Sequence, residues 1–335
     1  MYTRSAQAKP ALLGALAEWQ IPVALCTVYL AWGATYPAIR VMVETVPPLI
    51  GTAARFLLAG AILYGYLLVR GGRQRAKVAR RELAGAAVVG TVILGDIGLL
   101  ALAEQEVPAG LAALIIASVP LWVVMLRLLH GEAVRPGVLA AVAAGFAGVA
   151  LLVIPGASGG AESPLGWLLV LMLAAAVEAV GQFYSRYTPL PPDPIVTTAL
   201  QLMAAAGVLF AAGVATGELG DLSLERFSGD SALAFAYLIG PGSLLAYYAF
   251  VWLLEHAPIS TVSTYAYVNP VVAVLLGWAL LSEEITAPLA AGAVVVLASV
   301  AFIVRGTRPP GGPSAVRPAR SRSVRAHTGA SRRPA

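Results

Sequence analysis

The chain has 335 residues, of which 59% are hydrophobic and only 12% are charged, and its formal net charge is +5. A soluble domain carries about 25% charged residues, so this composition excludes a soluble globular enzyme. Eight arginines and no acidic residue lie within residues 305–335, so the rest of the chain is net negative and does not have the charge of a nucleic-acid-binding protein.

Ten apolar segments predict an all-α polytopic membrane protein. Leu, Ala and Val recur in blocks of about 20 residues, the length that an α-helix needs to cross a hydrocarbon core of about 30 Å. The alternating pattern of a transmembrane β-barrel does not occur in the sequence. The predicted spans, numbered 1 to 10 in chain order, are residues 20–41, 48–69, 83–103, 108–129, 137–154, 165–186, 194–216, 231–254, 260–281 and 287–304.

Lys and Arg in the loops predict the orientation. The connection after span 2 (residues 70–81) and the one after span 4 are basic. The loops on the other side, after spans 1, 3, 5, 7 and 9, are acidic or neutral. Basic loops stay in the cytoplasm, so we expect both termini to be cytoplasmic. Residues 1–19 are then a cytoplasmic N-terminal segment. Residues 305–335 are a disordered basic tail that either anchors on anionic lipid or only fixes the topology.

The two halves of the chain resemble each other. Pro108 and Pro258 open spans 4 and 9, and Pro120 and Pro270 follow them at the same spacing, where we expect each helix to break. Each half has five predicted spans, an odd number, so the second copy enters the membrane inverted. The sequence therefore predicts two inverted five-helix repeats, residues 20–154 and 165–304, the arrangement of many secondary transporters.

Four segments carry a resemblance to a known family: WGATYPAIR (32–40), PPLIGTAARFLLAGAIL (47–63), TYAYVNPVVAVLLG (264–277) and span 4 with its Pro108, Pro120 and Gly131-Glu132. They are similar to the corresponding segments of the EamA-type exporters of the drug/metabolite transporter superfamily. The resemblance covers residues 20–304. It implies ten inverted-repeat helices in a bacterial inner membrane, and export of amino acids or related metabolites without an ATP-binding domain. The chain accordingly contains no GxxxxGK[ST] phosphate loop.

Three ionisable residues lie within predicted spans: Arg55, Asp96 and Glu178. Each costs about 2.5–3.5 kcal/mol to insert, so we assign all three to coupling or gating. Glu178 is predicted to bind a cation or accept a proton, and its alternative is a structural hydrogen bond. Arg55 is predicted to have a structural or gating role. Asp96 either forms an ion pair with Arg55 or contacts the substrate.

Helical spacing predicts a pocket with aromatic walls. Trp32 and Tyr36 are one turn apart in span 1, Tyr265 and Asn269 are one turn apart in span 9, and Gln182 follows Glu178 by one turn. Pro270 also leaves a backbone carbonyl without its donor, which is tolerated beside a polar cavity. A single tyrosine is equally explained by the aromatic belt of a membrane protein. The predicted substrate-binding residues are Trp32, Tyr36, Glu178, Gln182, Tyr265 and Asn269.

These patterns predict a secondary transporter that exports a small amphipathic metabolite by alternating access, with the bilayer, the solute and protons as partners and no cofactor. The alternatives are a gradient-independent facilitator and an intramembrane enzyme. Gly156–Gly159 matches the GxSG of serine proteases, but every histidine is predicted at the cytoplasmic face or in the tail, about 30 Å away. Cys26 is the single cysteine, so Cys/His metal spacings are absent from the sequence. Substrate identity and oligomeric state stay open.

Overall fold

The computed structural model describes residues 8–75, 77–153 and 163–306, and within these ranges all regular structure is helical. The predicted tail from residue 307 onward and the Gly156–Gly159 sequence lie outside the described residues. The last helix continues to Gly306, so Arg305 and Gly306 belong to span 10 and not to the tail. The first helix begins at Ala8, so the predicted N-terminal segment is helical from that residue.

The ten predicted spans are confirmed, and their ends differ from the prediction by at most three residues. The agreement follows from the way the apolar runs are bounded by charged residues, Pro and Gly, which end a helix or keep it out of hydrocarbon. In chain order the spans are Trp19–Met42, Pro48–Arg70, Arg80–Ala103, Ala109–Leu129, Pro136–Val153, Leu165–Ser185, Pro194–Ala215, Gly229–His256, Ile259–Leu281 and Ala287–Arg305.

Four spans are built from more than one helix. Span 1 contains α1 (Ala8–Gly33) and α2 (Thr35–Met42), span 4 contains α5 (Ala109–Ile116) and α6 (Val119–Leu129), and span 9 contains α13 (Ile259–Val262) and α14 (Tyr265–Leu281). Span 8 contains α11 (Gly229–Ile239), a π-helical turn (Gly240–Leu245) and α12 (Ala246–His256). The other helices are α3 (Pro48–Arg75), α4 (Arg80–Ala103), α7 (Pro136–Val153), α8 (Leu165–Ser185), α9 (Pro194–Ala215), α10 (Glu218–Asp221), a 3₁₀ turn (Leu224–Arg226) and α15 (Ala287–Gly306).

The two prolines that we expected to break spans 4 and 9 behave differently. Pro120 lies in the first turn of α6, directly after the interruption at residues 117–118, where its missing N–H costs nothing. Pro270 lies inside α14, so the expected break there is wrong. The interruption of span 9 falls earlier, at residues 263–264, because tight i→i+3 bonds such as that from the Ala266 N–H to the Ser263 carbonyl replace the regular pattern.

The two halves of the chain pack on each other along their whole length. Span 2 packs on span 7, span 5 on span 10, span 4 on spans 9 and 6, span 3 on spans 6 and 7, and span 1 on spans 8 and 9. If each span is replaced by its counterpart in the other half (1 by 6, 2 by 7 and so on), most of these pairs recur. Small residues allow the close approach, because a Cβ at Gly90 of span 3 would overlap the backbone of Gln201 in span 7.

This contact predicts an asymmetric response to two glycine substitutions in α4. Gly90→Ala should lower the free energy of unfolding by about 1–3 kcal/mol, because the added methyl group overpacks the contact with Gln201. Gly95→Ala is the matched control, since a Cβ there has nothing within 4 Å. Thermal unfolding in detergent measures both, and equal losses for the two variants would contradict the packing of span 3 on span 7.

Candidate functional site

One end of the bundle, formed by the connections at residues 43–47, 104–108, 216–228 and 282–286, is sealed; we call it the closed end. All eight residues of α5 are buried there. The carboxylate of Glu283 accepts hydrogen bonds from the backbone N–H groups of Ala109 (2.6 Å) and Gly110 (2.9 Å). A carboxylate is the group that a helix N-terminus binds best, so the loop after span 9 holds the start of span 4.

A second carboxylate makes the same kind of contact at the closed end. Glu218, in the loop after span 7, accepts hydrogen bonds from the N–H groups of Leu49 (3.1 Å) and Ile50 (2.9 Å) at the start of span 2. The hydroxyl of Ser231 also donates to the carbonyl of Val41 over 2.8 Å. Residues of the second half therefore satisfy backbone groups of the first half at this end.

The opposite end is held by side-chain ion pairs at its surface. Glu132 pairs with Arg127 (2.6 Å) and with Arg186 (2.8 Å), which joins the ends of spans 4 and 6. The hydrogen bond from Arg127 is the main cause that lowers the pKa of Glu132, and the charge of Arg186 contributes. His130 is hydrogen-bonded to the hydroxyl of Tyr184 over 2.9 Å. These contacts join side chains to one another, whereas the carboxylates at the closed end bind backbone N–H groups.

Between the two ends lies a cavity of about 370 Å³. Spans 1 to 4 line the cavity with their halves nearer the closed end. Spans 6 to 9 line it with their halves nearer the opposite end. Its lining residues are Trp32, Thr35, Tyr36, Ile39, Arg55, Phe56, Ile93, Leu94, Asp96, Ile97, Leu100, Ile116, Glu178, Gln182, Thr198, Gln201, Leu202, Gly242, Ser243, Tyr247, Phe250, Tyr265 and Asn269.

All six predicted substrate-binding residues and all three predicted coupling residues line this cavity, whereas Pro120 and Pro270 do not. The structure thus brings together side chains from five spans that the sequence linked only by helical spacing. Their roles in binding and coupling stay predictions. Within the described residues, no group of three His, Cys, Asp or Glu side chains comes close enough to hold a metal ion.

Two carboxyl groups meet in the cavity. Asp96 of span 3 lies within hydrogen-bonding reach of Glu178 of span 6, and the Glu178 Oε1 atom accepts a hydrogen bond from Gln182 Nε2 over 2.7 Å. Oδ1 of Asp96 and Oδ1 of Asn269 are buried and have no hydrogen-bond partner among the described residues. Buried acceptors without a donor are costly, so this part of the cavity is suited to a ligand that donates hydrogen bonds.

Arg55 does not pair with Asp96, so that alternative is wrong. Its guanidinium is buried, and Nε donates to the hydroxyl oxygen of Ser243 over 3.2 Å, while that hydroxyl donates to the carbonyl of Leu238 over 2.8 Å. The described residues include no ion pair of Arg55. The cavity therefore contains a cationic group and a carboxyl pair that do not neutralise each other.

Three aromatic rings from different spans form one wall. The ring centroid of Trp32 lies 5.1 Å from that of Phe250 and 5.3 Å from that of Tyr265, and the last two are 5.6 Å apart. The indole N–H of Trp32 donates to the carbonyl of Gly242 over 3.1 Å. This bond fixes the orientation of the ring, because a buried indole N–H requires an acceptor.

Sequence reasoning missed the contribution of span 8. Gly242, Ser243 and Phe250 lie in or just after the π-helical turn, and the N–H of Ala246 bonds to the carbonyl of Pro241, one residue further than in an α-helix. The signal was the Gly-Pro-Gly sequence at residues 240–242 in the middle of a span, because such residues interrupt helices and π-turns are frequent at functional sites.

A ten-span helical bundle with a polar cavity between its halves defines a polytopic membrane transporter rather than a soluble enzyme. The family model of the EamA-like transporter family matches residues 20–154 and again residues 165–305. The chain belongs to this family.

Relatives agree with this assignment. The chain is 37% identical over 266 residues to the uncharacterized inner membrane transporter YedA of Escherichia coli (strain K12), an alignment that covers 78% of this chain and 83% of YedA. It is 27% identical over 275 residues to Protein PecM of Dickeya dadantii (strain 3937), covering 81% and 88% of the two chains. The protein is therefore a multi-pass transporter of a bacterial inner membrane.

Two further matches are more distant. The WAT1-related protein At3g02690, chloroplastic, of Arabidopsis thaliana is 25% identical over 296 residues, which is 87% of this chain and 70% of that protein. A solved crystal structure superposes with a TM-score of 0.56 at 23% identity and covers 84% of this chain and 95% of its own. The last likeness concerns the fold alone.

The position of Arg55 depends on its bond to Ser243. Ser243→Ala should lower the free energy of unfolding by about 1.5–3 kcal/mol, because a buried cation loses its acceptor and the carbonyl of Leu238 loses a donor. Ser263→Ala is the control, since its hydroxyl bonds only within its own turn, to Ile259. Denaturant or thermal unfolding in detergent measures both. A loss for Ser243→Ala no larger than the control would mean that Arg55 is held by something else.

Proposed function

We propose that this transporter is a secondary carrier that exports a small metabolite, an amino acid or a similar amphipathic solute, by alternating access. The observation that carries the proposal is the cavity, which joins a cationic group, a carboxyl pair and an aromatic wall. Gln182, which lines it on the side away from the closed end, is exposed. The direction of transport rests on the resemblance to EamA-type exporters.

The chemistry of the cavity supports a solute with two polar ends. Arg55 can bind a carboxylate, and the carboxyl groups of Asp96 and Glu178 with the free acceptor of Asn269 can bind an ammonium group. The rings of Trp32 and its neighbours then contact the apolar part. A volume of about 370 Å³ falls in the usual range of small-molecule pockets.

Alternating access requires two halves that exchange roles, and the helix directions support this. Span 1 runs toward the closed end, while span 6 ends at the opposite end, where Arg186 pairs with Glu132. Corresponding spans thus run in opposite directions, as two inverted five-helix repeats require. Together with the basic loops, this orientation supports the proposal that the closed end faces the outside and that both termini are cytoplasmic.

The proposed orientation can be tested directly. A reporter that is active only in the cytoplasm should work when it is fused after Lys77, in the basic loop after span 2, and should fail when it is inserted beside the exposed Glu44. The positive-inside rule predicts this pattern. Activity of the reporter at Glu44 would reverse the topology and the assignment of the closed end.

Coupling to protons is the feature that separates a concentrative exporter from a facilitator. We infer that Glu178 accepts the coupling proton, because its carboxyl shares a desolvated cavity with Asp96, and two adjacent carboxyl groups are not both ionised at low cost. The alternative is a facilitator that equilibrates the solute without a gradient. An intramembrane enzyme is disfavoured, since the named relatives are transporters.

The decisive experiment is uptake into proteoliposomes from a mixed pool of amino acids and related metabolites, with and without an imposed pH gradient. The wild type should accumulate at least one solute only with the gradient. Glu178→Gln should remove the gradient-driven part, which for one coupled proton is at most about tenfold for each pH unit of the gradient, and leave any exchange insensitive to pH. Glu44→Gln is the matched control at an exposed glutamate.

Each outcome of this experiment has a defined meaning. Gradient-driven accumulation that Glu178→Gln abolishes supports a proton-coupled carrier. Equilibration that ignores the gradient in both proteins identifies a facilitator. Accumulation unchanged by Glu178→Gln would assign coupling elsewhere. Absence of flux for every compound of the pool would refute the proposed substrate class.

A further inference from the structure

A buried carboxyl group outside the cavity has no role in the site described above. Glu104 follows α4 at the closed end, between spans 3 and 4, and its exposed fraction is 0%. Neither Oε1 nor Oε2 has a hydrogen-bond partner among the described residues. An ionised carboxylate in such surroundings costs several kcal/mol, so the group is stable there only in its neutral form.

The charged neighbours of Glu104 do not remove this cost. The guanidinium of Arg40, from span 1, donates to the backbone carbonyl of Glu104 and forms no ion pair with its carboxylate within the described residues. The other titratable groups that interact with Glu104 are Glu283, from the loop after span 9, and Tyr36. Burial and then the charge of Glu283 raise the pKa of Glu104 well above its ordinary value, and Arg40 lowers it.

The two carboxyl groups at this end therefore have different surroundings. The carboxylate of Glu283 accepts hydrogen bonds from the N–H groups of Ala109 and Gly110 at the start of α5. Glu104 has no such donors, and the charge of Glu283 acts on it. A carboxyl group next to a fixed negative charge retains its proton more strongly than one in water.

Opening of the closed end would change these surroundings. Alternating access, as proposed above, requires α5 to move away from the second half, which exposes the buried side chain of Glu104 to water. A hydrated Glu104 would then ionise as an ordinary glutamate does. We propose that Glu104 is a second proton-binding site of the transport cycle. It binds a proton while the closed end is shut and releases the proton when that end opens.

Proton binding by Glu104 predicts how the stability of the closed state changes with pH. The closed state holds one proton more than the open state, so closure is most favourable below the ordinary pKa of glutamate, about 4.3. Its stability is lost as the pH rises from there to the raised pKa of Glu104. A low external pH should therefore keep the closed end shut.

The test reads the closed end itself and needs no substrate. In nanodiscs, amide hydrogen exchange of residues 105–116, corrected for the chemical exchange rate, should show protection that falls about tenfold or more between about pH 5 and pH 8 in the wild type, since one pKa unit corresponds to tenfold. Glu104→Gln cannot ionise and should stay protected throughout. Glu106→Gln, at an exposed glutamate two residues away, should keep the wild-type response.

A second variant is used in case the Glu104→Gln protein folds poorly. Glu104→Leu is also neutral and loses no hydrogen bond, because the carboxyl oxygens have none, so it should fold and should likewise lose the pH response. A pH response that persists in a folded variant at position 104, or one that Glu106→Gln also abolishes, would overturn the proposal. Since the exchange data require no flux, the proposal and the transport function can fail separately.

Discussion

Every backbone N–H and C=O group within a bilayer must find its partner inside the protein, and this constraint governs where the helices of this transporter can be interrupted. At the breaks of spans 1 and 8, side chains bond to the backbone groups that the interrupted helices leave free. At the end of α1 the carbonyl of Ala31 accepts from the hydroxyl of Tyr237 over 3.0 Å, and that of Trp32 accepts from Thr35 over 2.6 Å. The π-helical turn of span 8 receives the indole N–H of Trp32. The interruptions of spans 1 and 8 thus support each other across the cavity.

The same constraint explains the position of the charged groups. Arg55 and Asp96 are buried, yet each faces a cavity that also contains amide, hydroxyl and aromatic side chains. Arg55 obtains its orientation from Ser243, a residue of the π-helical turn, so the irregular backbone also positions the cation. A regular α-helix in span 8 would leave Trp32 and Arg55 without these two partners. Local helix geometry and the polarity of the site are therefore coupled.

The asymmetry between the two ends has a physical origin. At the closed end, carboxylates of the second half bind helix N-termini of the first half, and these bonds are partly buried. At the opposite end the corresponding glutamate, Glu132, is surrounded by two arginines at the surface instead. An exposed ion pair contributes about 0–1 kcal/mol and a carboxylate at a helix N-terminus typically about 0.3–1 kcal/mol, so the two ends differ in the kind of contact that joins the helices.

The sequence by itself determined the ten spans, because apolar runs of membrane-crossing length have no other stable solution, and it identified most of the polar residues that line the cavity, because each is too costly in lipid to lack a function. Only the tertiary structure decided their partners. Asp96 faces Glu178 and not Arg55, the break of span 9 precedes Pro270, and Gly242 and Ser243 belong to the site. Each of these residues could contact several polar residues on other spans. Helical spacing determines which residues share a face of one helix, but it does not determine which residue of another helix they contact.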